Sequence, residues 1–594
     1  MIKTMKSRLF ITVLLAVLTL GVTTSCEDMF DIPSNRVVYD HEINSTADSA
    51  YTTLGVLHLM RKVADRYVIL GELRGDIAQI DEVNAKASLR NLANFNFGEA
   101  NEYLNVRDYY NIINNCNYAL ENMDISIKLH NEYVMMDEYA ALISIRAWTY
   151  LQLAINYGDV YYYTYPVISE ADVQRVKAEG KKSIEYITAD LAPQMLPYLD
   201  VNMPSFVSTT GSYPNMRLVL AELYLWSGEY EKAVELYEDY FMHNEKYELT
   251  KTDAENDITE TEPGYFEFSG AFGKWNGIHF EDMDPIPSIT LNQTKEFIAG
   301  IPMETSSSSG VVSEVSSLFH KGSNGEEEMP PMLKISHAYE KLCKDQKVFN
   351  VSGTGKDISI KVDSVKMGDM RKYAYVGKTN IKDEMTGLPQ EYDTYVKHSA
   401  GQIVIQRYPI ACLRWAEAMN ALARKQLEAG NDSVARVNAV NSFYLLKDAF
   451  KVFFPDSTEV WTRFVRFHDD LKKSYIGIHG RGAGDVAYDT VHYVLKPNVI
   501  AERLGRSVSE EDEQYLYDVI EYIDELIIDE LALESTLEGN RFGDLVRFAK
   551  RREEWGDGNY LDFLAKRVAN RGEEKDEVLY SKLLDDACWY LPFK

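Results

Sequence analysis

Close-spaced cysteines are missing from this chain. Its five cysteines, Cys26, Cys116, Cys343, Cys412 and Cys588, form no CxxC pair and have no metal-ligand spacing, so neither a disulfide framework nor a zinc site is expected. Cys116 and Cys412 fall inside helical apolar patterns and read as small buried hydrophobes. Recognisable catalytic templates are missing too. There is no HExxH; SGTGKD lacks the earlier glycine and the closing Ser or Thr of a P-loop, and GIHGRGAGD lacks the final glycine of a dinucleotide fingerprint. No cofactor and no metal is therefore expected. Positive charge is scarce, with 62 Lys and Arg against 92 Asp and Glu for a net −30. That balance repels phosphate backbones and anionic lipid, and no basic stripe with interleaved aromatics offsets it, which argues against nucleic-acid binding. A membrane-spanning run is also absent at the N-terminus: the apolar stretch Leu9 to Val22 has 14 residues, short of the roughly 20 needed to cross.

What that stretch does have is the form of a secretory signal, with Lys3, Lys6 and Arg8 before it and Thr23-Thr24-Ser25-Cys26 after it. Small residues running into a cysteine resemble a bacterial lipobox, although Thr23 stands where Leu is usual. The resemblance implies that Cys26 becomes the acylated first residue of the mature chain. Acyl chains would supply the membrane affinity that the acidic body lacks, at about 0.8 kcal/mol per buried methylene. Glu27, Asp28 and Asp31 beside that cysteine resemble a signal for display on the outer face, and the Pro and polar residues that follow suit an extended strap. An ordinary signal with an incidental cysteine is the other reading.

Aromatics are plentiful, with 40 Tyr, 23 Phe and 7 Trp. Within helices they read as core wedges. Apolar spacing predicts a first helix over 48–64, with Ala50, Leu54, Leu57 and Val63 inward, and further helices over 105–124 and 133–157. Two helix pairs follow, 216–244 with its turn at Gly228, and 408–429 with 433–450. Ala221 and Ala233 permit close approach while Tyr230 and Tyr237 wedge between the helices, which is tetratricopeptide-like chemistry. Near the C-terminus, Ile520 to Arg552 reads as a helical hairpin. Ile523, Ile527 and Leu531 form one stripe among Asp524, Glu525, Asp529 and Glu530; Gly539 takes the turn; Phe542, Leu545 and Phe548 begin a second stripe closing on Lys550, Arg551 and Arg552. The charges read as surface ion pairs that hold the hairpin, each worth little alone.

Residues 251–405 differ. Helical periodicity fades, Gly, Ser and Pro cluster, and Ile358, Ile360 and Val362 alternate as a short strand does. Tyr265, Phe272 and Trp275 lie on a Gly-interrupted aromatic loop, the arrangement a sugar-stacking platform needs. Trp275 in GKWNG is the first choice, against the alternative that it plugs a small local core. Arg371 follows Asp369 in GDMRKYAYV and either pairs with it or donates to a ligand, and Tyr395 adds a further aromatic. In the stretch 67–84, Arg74, Asp76 and Asp81 either hydrogen-bond vicinal hydroxyls or cap their own loop. Residues 456–515 read as a second insertion, poor in periodicity.

Several of these segments together resemble the SusD/RagB family. Glu530, Glu534, Glu538, Gly539, Arg541, Asp544, Leu545 and Arg547 match its C-terminal signature, with Leu531-Ala532 where paired arginines are common and Phe542-Gly543 where an aromatic pair is. LGELRGD, with Glu72, Arg74 and Asp76, is similar to the motif after the family's first helix. Arg146, Ala147, Tyr150, Leu153, Tyr157, Gly158 and Asp159 are similar to a second signature, and Arg407, Tyr408, Arg414, Ala416, Glu417 and Ala418 to a third. The resemblance implies a mostly α, TPR-like helical-repeat scaffold with a loop-rich excursion containing minor β. It divides the chain into a signal (1–25), a lipid-anchored strap (26–45), an N-terminal TPR-containing region (46–250), a loop-rich ligand-binding region (251–405) and a C-terminal helical region (406–594). It also implies a non-catalytic outer-membrane lipoprotein that captures glycan and passes it to a SusC-like TonB-dependent transporter. A surface glycosidase and a peptide-binding adaptor with no glycan ligand stay open beside it.

Overall fold

The computed structural model describes residues 42–98, 100–204, 212–243, 258–262, 265–268, 297–304, 311–319, 322–324, 327–352, 359–362, 368–369, 371–372, 376–382, 386–395, 402–446, 451–453 and 490–593. Helix α1 (Thr46–Leu73) starts at Ser45, whose side chain accepts from the Asp48 N–H. It runs nine residues beyond the expected end because Val68, Ile69, Leu70 and Leu73 keep the helix buried on every side. Leu54, expected inward, is exposed; Thr53, Val56, Leu57 and Met60 face the core instead.

Helices α2 (Arg107–Asn122), α3 (Met136–Tyr157) and α4 (Ile184–Met195) follow. Nearly all of α3 is buried, since it packs on α1, α2, α4 and the first helix of the next pair. It stops at Gly158, whose φ of 70° is costly for any residue with a Cβ. The two repeat pairs form as the spacing requires: α5 (Met216–Trp226) with α6 (Tyr230–His243), and α7 (Tyr408–Glu428) with α8 (Asp432–Leu445). Helix α7 joins the pairs by packing on α6, where Trp415 stacks on Phe241 with ring centroids 5.1 Å apart. It also meets α9 (Tyr515–Glu534), which turns into α10 (Arg541–Glu554). The α9 helix ends before Gly539 because Leu537 is already left-handed, at φ 64°.

Strands are short. Phe297–Pro302 pairs antiparallel with Gln402–Arg407, which runs directly into α7, and Ala78–Ile80 pairs with Leu333–Ile335. These two ladders tie the excursion to the scaffold. The predicted strand appears as Ser359–Val362, inside a four-stranded sheet with Phe349–Ser352, Thr490–Val494 and Lys451–Phe453. The architecture is therefore mostly α with minor β. Cys116, Cys343 and Cys412 are buried free thiols, and among the described residues no helix is long and apolar enough to cross a membrane.

Candidate functional site

Residues of three of the motifs, hundreds of positions apart in sequence, meet in one seam between α1, α7, α9 and α10. Gly71 and Gly539 touch backbone to backbone: a Cβ on Gly71 would sit 1.8 Å from the Gly539 carbonyl oxygen. The Gly539 N–H donates to Glu72 Oε1 at 2.6 Å. Burial pushes the Glu72 carboxyl up to about 8, against that hydrogen bond and the charge of Arg541. Arg541 grips Asp76 with Nε and Nη2, at 2.5 and 2.8 Å, and donates Nη1 to the Ile528 carbonyl.

Two further knots lie along α9 and α10. Arg371 donates to Asp369, to Glu530 at 2.6 Å and to Glu534 at 2.9 Å, while Arg407 donates to Glu534 at 2.8 Å and to Glu538 at 3.0 Å. Glu417 accepts from both Arg547 (2.7 Å) and Arg551 (2.5 Å); Arg547 also reaches Asp544 and Arg551 reaches Asp524. Burial alone would raise the Glu417 pKa, but Arg547 and Arg551 outweigh it and hold the carboxyl below its usual range. His492 beside Glu530 and Arg371 is pushed down to about 3, chiefly by burial, and stays neutral. The pairs are thus buried, not superficial as the sequence reading has them. In that setting each charge needs its partners, because an orphaned buried ion is strongly destabilising.

Four residues expected to hold ligand are instead buried and engaged within the protein. Arg74 is fully buried, donating to the Leu70 and Trp589 carbonyls at 3.0 and 3.2 Å and to Asn156 Oδ1, with its guanidinium 4.0 Å above the Phe542 ring. Asp76 is taken by Arg541, and Arg371 by its three carboxylates. Tyr395 is buried, its hydroxyl accepting from the Ile335 N–H at 2.7 Å and its ring edge-on to Phe319. None of the four has a surface on which a sugar can lie. Asp81 is half-buried and accepts from the Val83 and Asn84 N–H groups at 3.0 and 2.9 Å, a self-capped loop. The backbone of Tyr265 lies in strand Tyr265–Phe268, paired with Ile258–Glu262. Phe272, Trp275 and Cys26 lie outside the described residues.

On the other side of α10 a groove of about 820 Å³ opens between the end of α3, the α5–α6 turn and the C-terminal segment. Trp226 and Tyr590 line it. The Arg547 guanidinium sits 5.3 Å from the centre of the Trp226 ring, and Tyr590 lies so close on Gly158 that a Cβ there would meet its ring at 3.3 Å. Tyr230 donates its hydroxyl to Glu554 at 2.6 Å. The sequence reading did not single out Trp226 or Tyr590. A Trp directly ahead of the Ser227-Gly228 turn, where a repeat helix ends at the surface, was the available signal.

Among solved structures, the chain is similar to a SusD homologue from Bacteroides thetaiotaomicron VPI-5482, with a TM-score of 0.50 and 14% identity over 92% of this chain and 93% of that one. The fold is SusD-like. A second SusD homologue from the same organism gives a TM-score of 0.49 at 15% identity, covering 89% of this chain and 95% of that one. Surface glycan-binding protein A from Bacteroides fluxus gives 0.49 at 13%, covering 90% and 94%. No family profile matches the sequence, and no curated protein matches it. In the SusD-like fold of this chain, the seam takes in residues of three of the motifs, whereas Tyr157, Gly158 and Asp159 of the remaining one line the groove.

Proposed function

We propose that this protein is a non-catalytic glycan-binding lipoprotein of the outer membrane, anchored through Cys26, facing the cell surface and delivering its ligand to a SusC-like TonB-dependent transporter. The observation that carries the reading is the seam: residues matching three separate SusD/RagB motifs come together, with Arg371, as one buried set of ion pairs within a SusD-like fold. The ligand is held by stacking on Tyr265, Phe272 and Trp275 and by hydroxyl hydrogen bonds, with Asp81 as a polar contact.

Affinity electrophoresis of residues 27–594 against a polysaccharide panel tests this reading. Retardation by at least one glycan, abolished by Trp275→Ala with an unchanged circular dichroism spectrum, is expected. Absence of retardation alongside retention of the transporter in a pull-down supports the adaptor reading instead. Release of reducing ends by the purified protein makes it a glycosidase.

A further inference from the structure

Resting on that reading, we propose that the groove beside α10 is a second glycan subsite, carried by the helical scaffold and selective for uncharged oligosaccharides over acidic ones. Its volume of about 820 Å³ falls in the roughly 300–1,000 Å³ range of small-ligand clefts. Four aromatic residues line it, Tyr157, Trp226, Tyr230 and Tyr590, and two of these rings are held from behind. Trp226, half-buried, is backed by the Arg547 guanidinium, and Tyr590 by Gly158, where any side chain would push against the ring. A ring fixed in this way offers a flat apolar face at little entropic cost, as the C–H face of a pyranose requires.

The charges of the groove decide which sugars fit. Asp159 and Glu185 are exposed lining residues, and neither forms a hydrogen bond or ion pair among the described residues. Both are close enough to Tyr590 to raise its hydroxyl pKa, after burial, together with Asp586. They are acceptors for sugar hydroxyls. The cations of the groove are engaged elsewhere: Arg547 and Arg551 with Glu417, Asp544 and Asp524, and Lys550 with Glu553 and Asp586 at 3.1 and 2.7 Å. Lys425 donates to the Gly228 carbonyl at 3.2 Å. A uronate or sulfated sugar entering here therefore meets two unpaired carboxylates, Asp159 and Glu185, against a single cation, Lys425, whose charge no carboxylate among the described residues balances, so it is repelled.

The experiment is fluorine NMR on residues 27–594 carrying 5-fluorotryptophan, with the Trp226 resonance assigned from Trp226→Phe. The probes are gluco-, manno- and xylo-hexaoses and, as the acidic counterpart, hexagalacturonate. The Trp226 resonance is expected to shift saturably with at least one neutral hexaose, to ignore hexagalacturonate, and to respond equally in Trp275→Ala. The double variant Asp159→Asn/Glu185→Gln changes only exposed groups, so it leaves the fold intact. It is expected to weaken the neutral hexaose by roughly three- to tenfold, the worth of lost hydrogen bonds. A Trp226 resonance unmoved by every neutral hexaose overturns the groove assignment, as does one that responds more strongly to hexagalacturonate. If it stays still while Trp275→Ala abolishes retardation on the gel, the groove assignment falls and the proposed function stands. If neither site responds to any glycan, both fall.

Discussion

Helix α10 has two faces built from the same residue types, and they behave oppositely. On the seam face, Arg547 and Arg551 are almost completely buried, and Glu417 and Asp524 match them at 2.5 to 2.7 Å. On the groove face, Lys550, Glu553 and Asp586 make pairs of similar length with 37 to 46% of each side chain exposed. Water makes the difference. In the seam no solvent can replace a lost partner, so the charges act as a lock; on the groove face solvent screens them, so a lost partner is replaceable.

The sharpest way to break that comparison is Glu534→Ala, which takes a carboxylate from both Arg371 and Arg407. A loss of about 3–5 kcal/mol is expected in urea unfolding; a loss under about 1 kcal/mol would mean that the seam is solvated. Next in size is Gly71→Ala. Its Cβ collides with the Gly539 backbone, which cannot swing aside as a side chain can, and a cost of about 1–3 kcal/mol in the same assay is expected.

The third test is pH. The depressed pKa of Glu417 contributes stability that is present above its unfolded value and is lost as pH falls below about 4. Glu72 runs the other way. Its carboxyl is raised to about 8 in the fold, so its contribution is complete below its unfolded pKa, about 4.3, and is lost as pH rises toward 8. Glu72→Gln keeps an uncharged group there, so its melting temperature relative to wild type should climb steadily between pH 5 and 8. A constant offset would contradict the buried placement of Glu72. The smallest effect belongs to the groove face: Lys550→Ala should change stability by about 0.5 kcal/mol or less.

Periodicity made the helix pairs legible, because an apolar stripe and a turn glycine are local signals. Gly158 and Gly228 were readable for that reason. The charges were legible as pairs but not as buried ones. Burial depends on what covers them, and the covering residues, such as Asp76 and Tyr493, come from segments far away in sequence. The same limit explains Arg74 and Tyr395: polar residues in a motif or a loop look available until Trp589, Asn156 and Ile335 are brought onto them. Trp226 was lost among the repeat wedges because one helix carries both core and surface aromatics. Only packing tells them apart.

The account's central claim is that the buried charges of the seam hold the fold while ligands bind elsewhere. Arg371 tests it most directly, since by sequence it is as good a ligand residue as a structural one. The measurement is affinity electrophoresis of Arg371→Lys, on whichever polysaccharide retards the wild-type protein, at a temperature where circular dichroism shows the variant folded. Unchanged retardation with a lowered melting temperature is the predicted result. Lost retardation with an unchanged melting temperature would place Arg371 in the ligand site and contradict the claim.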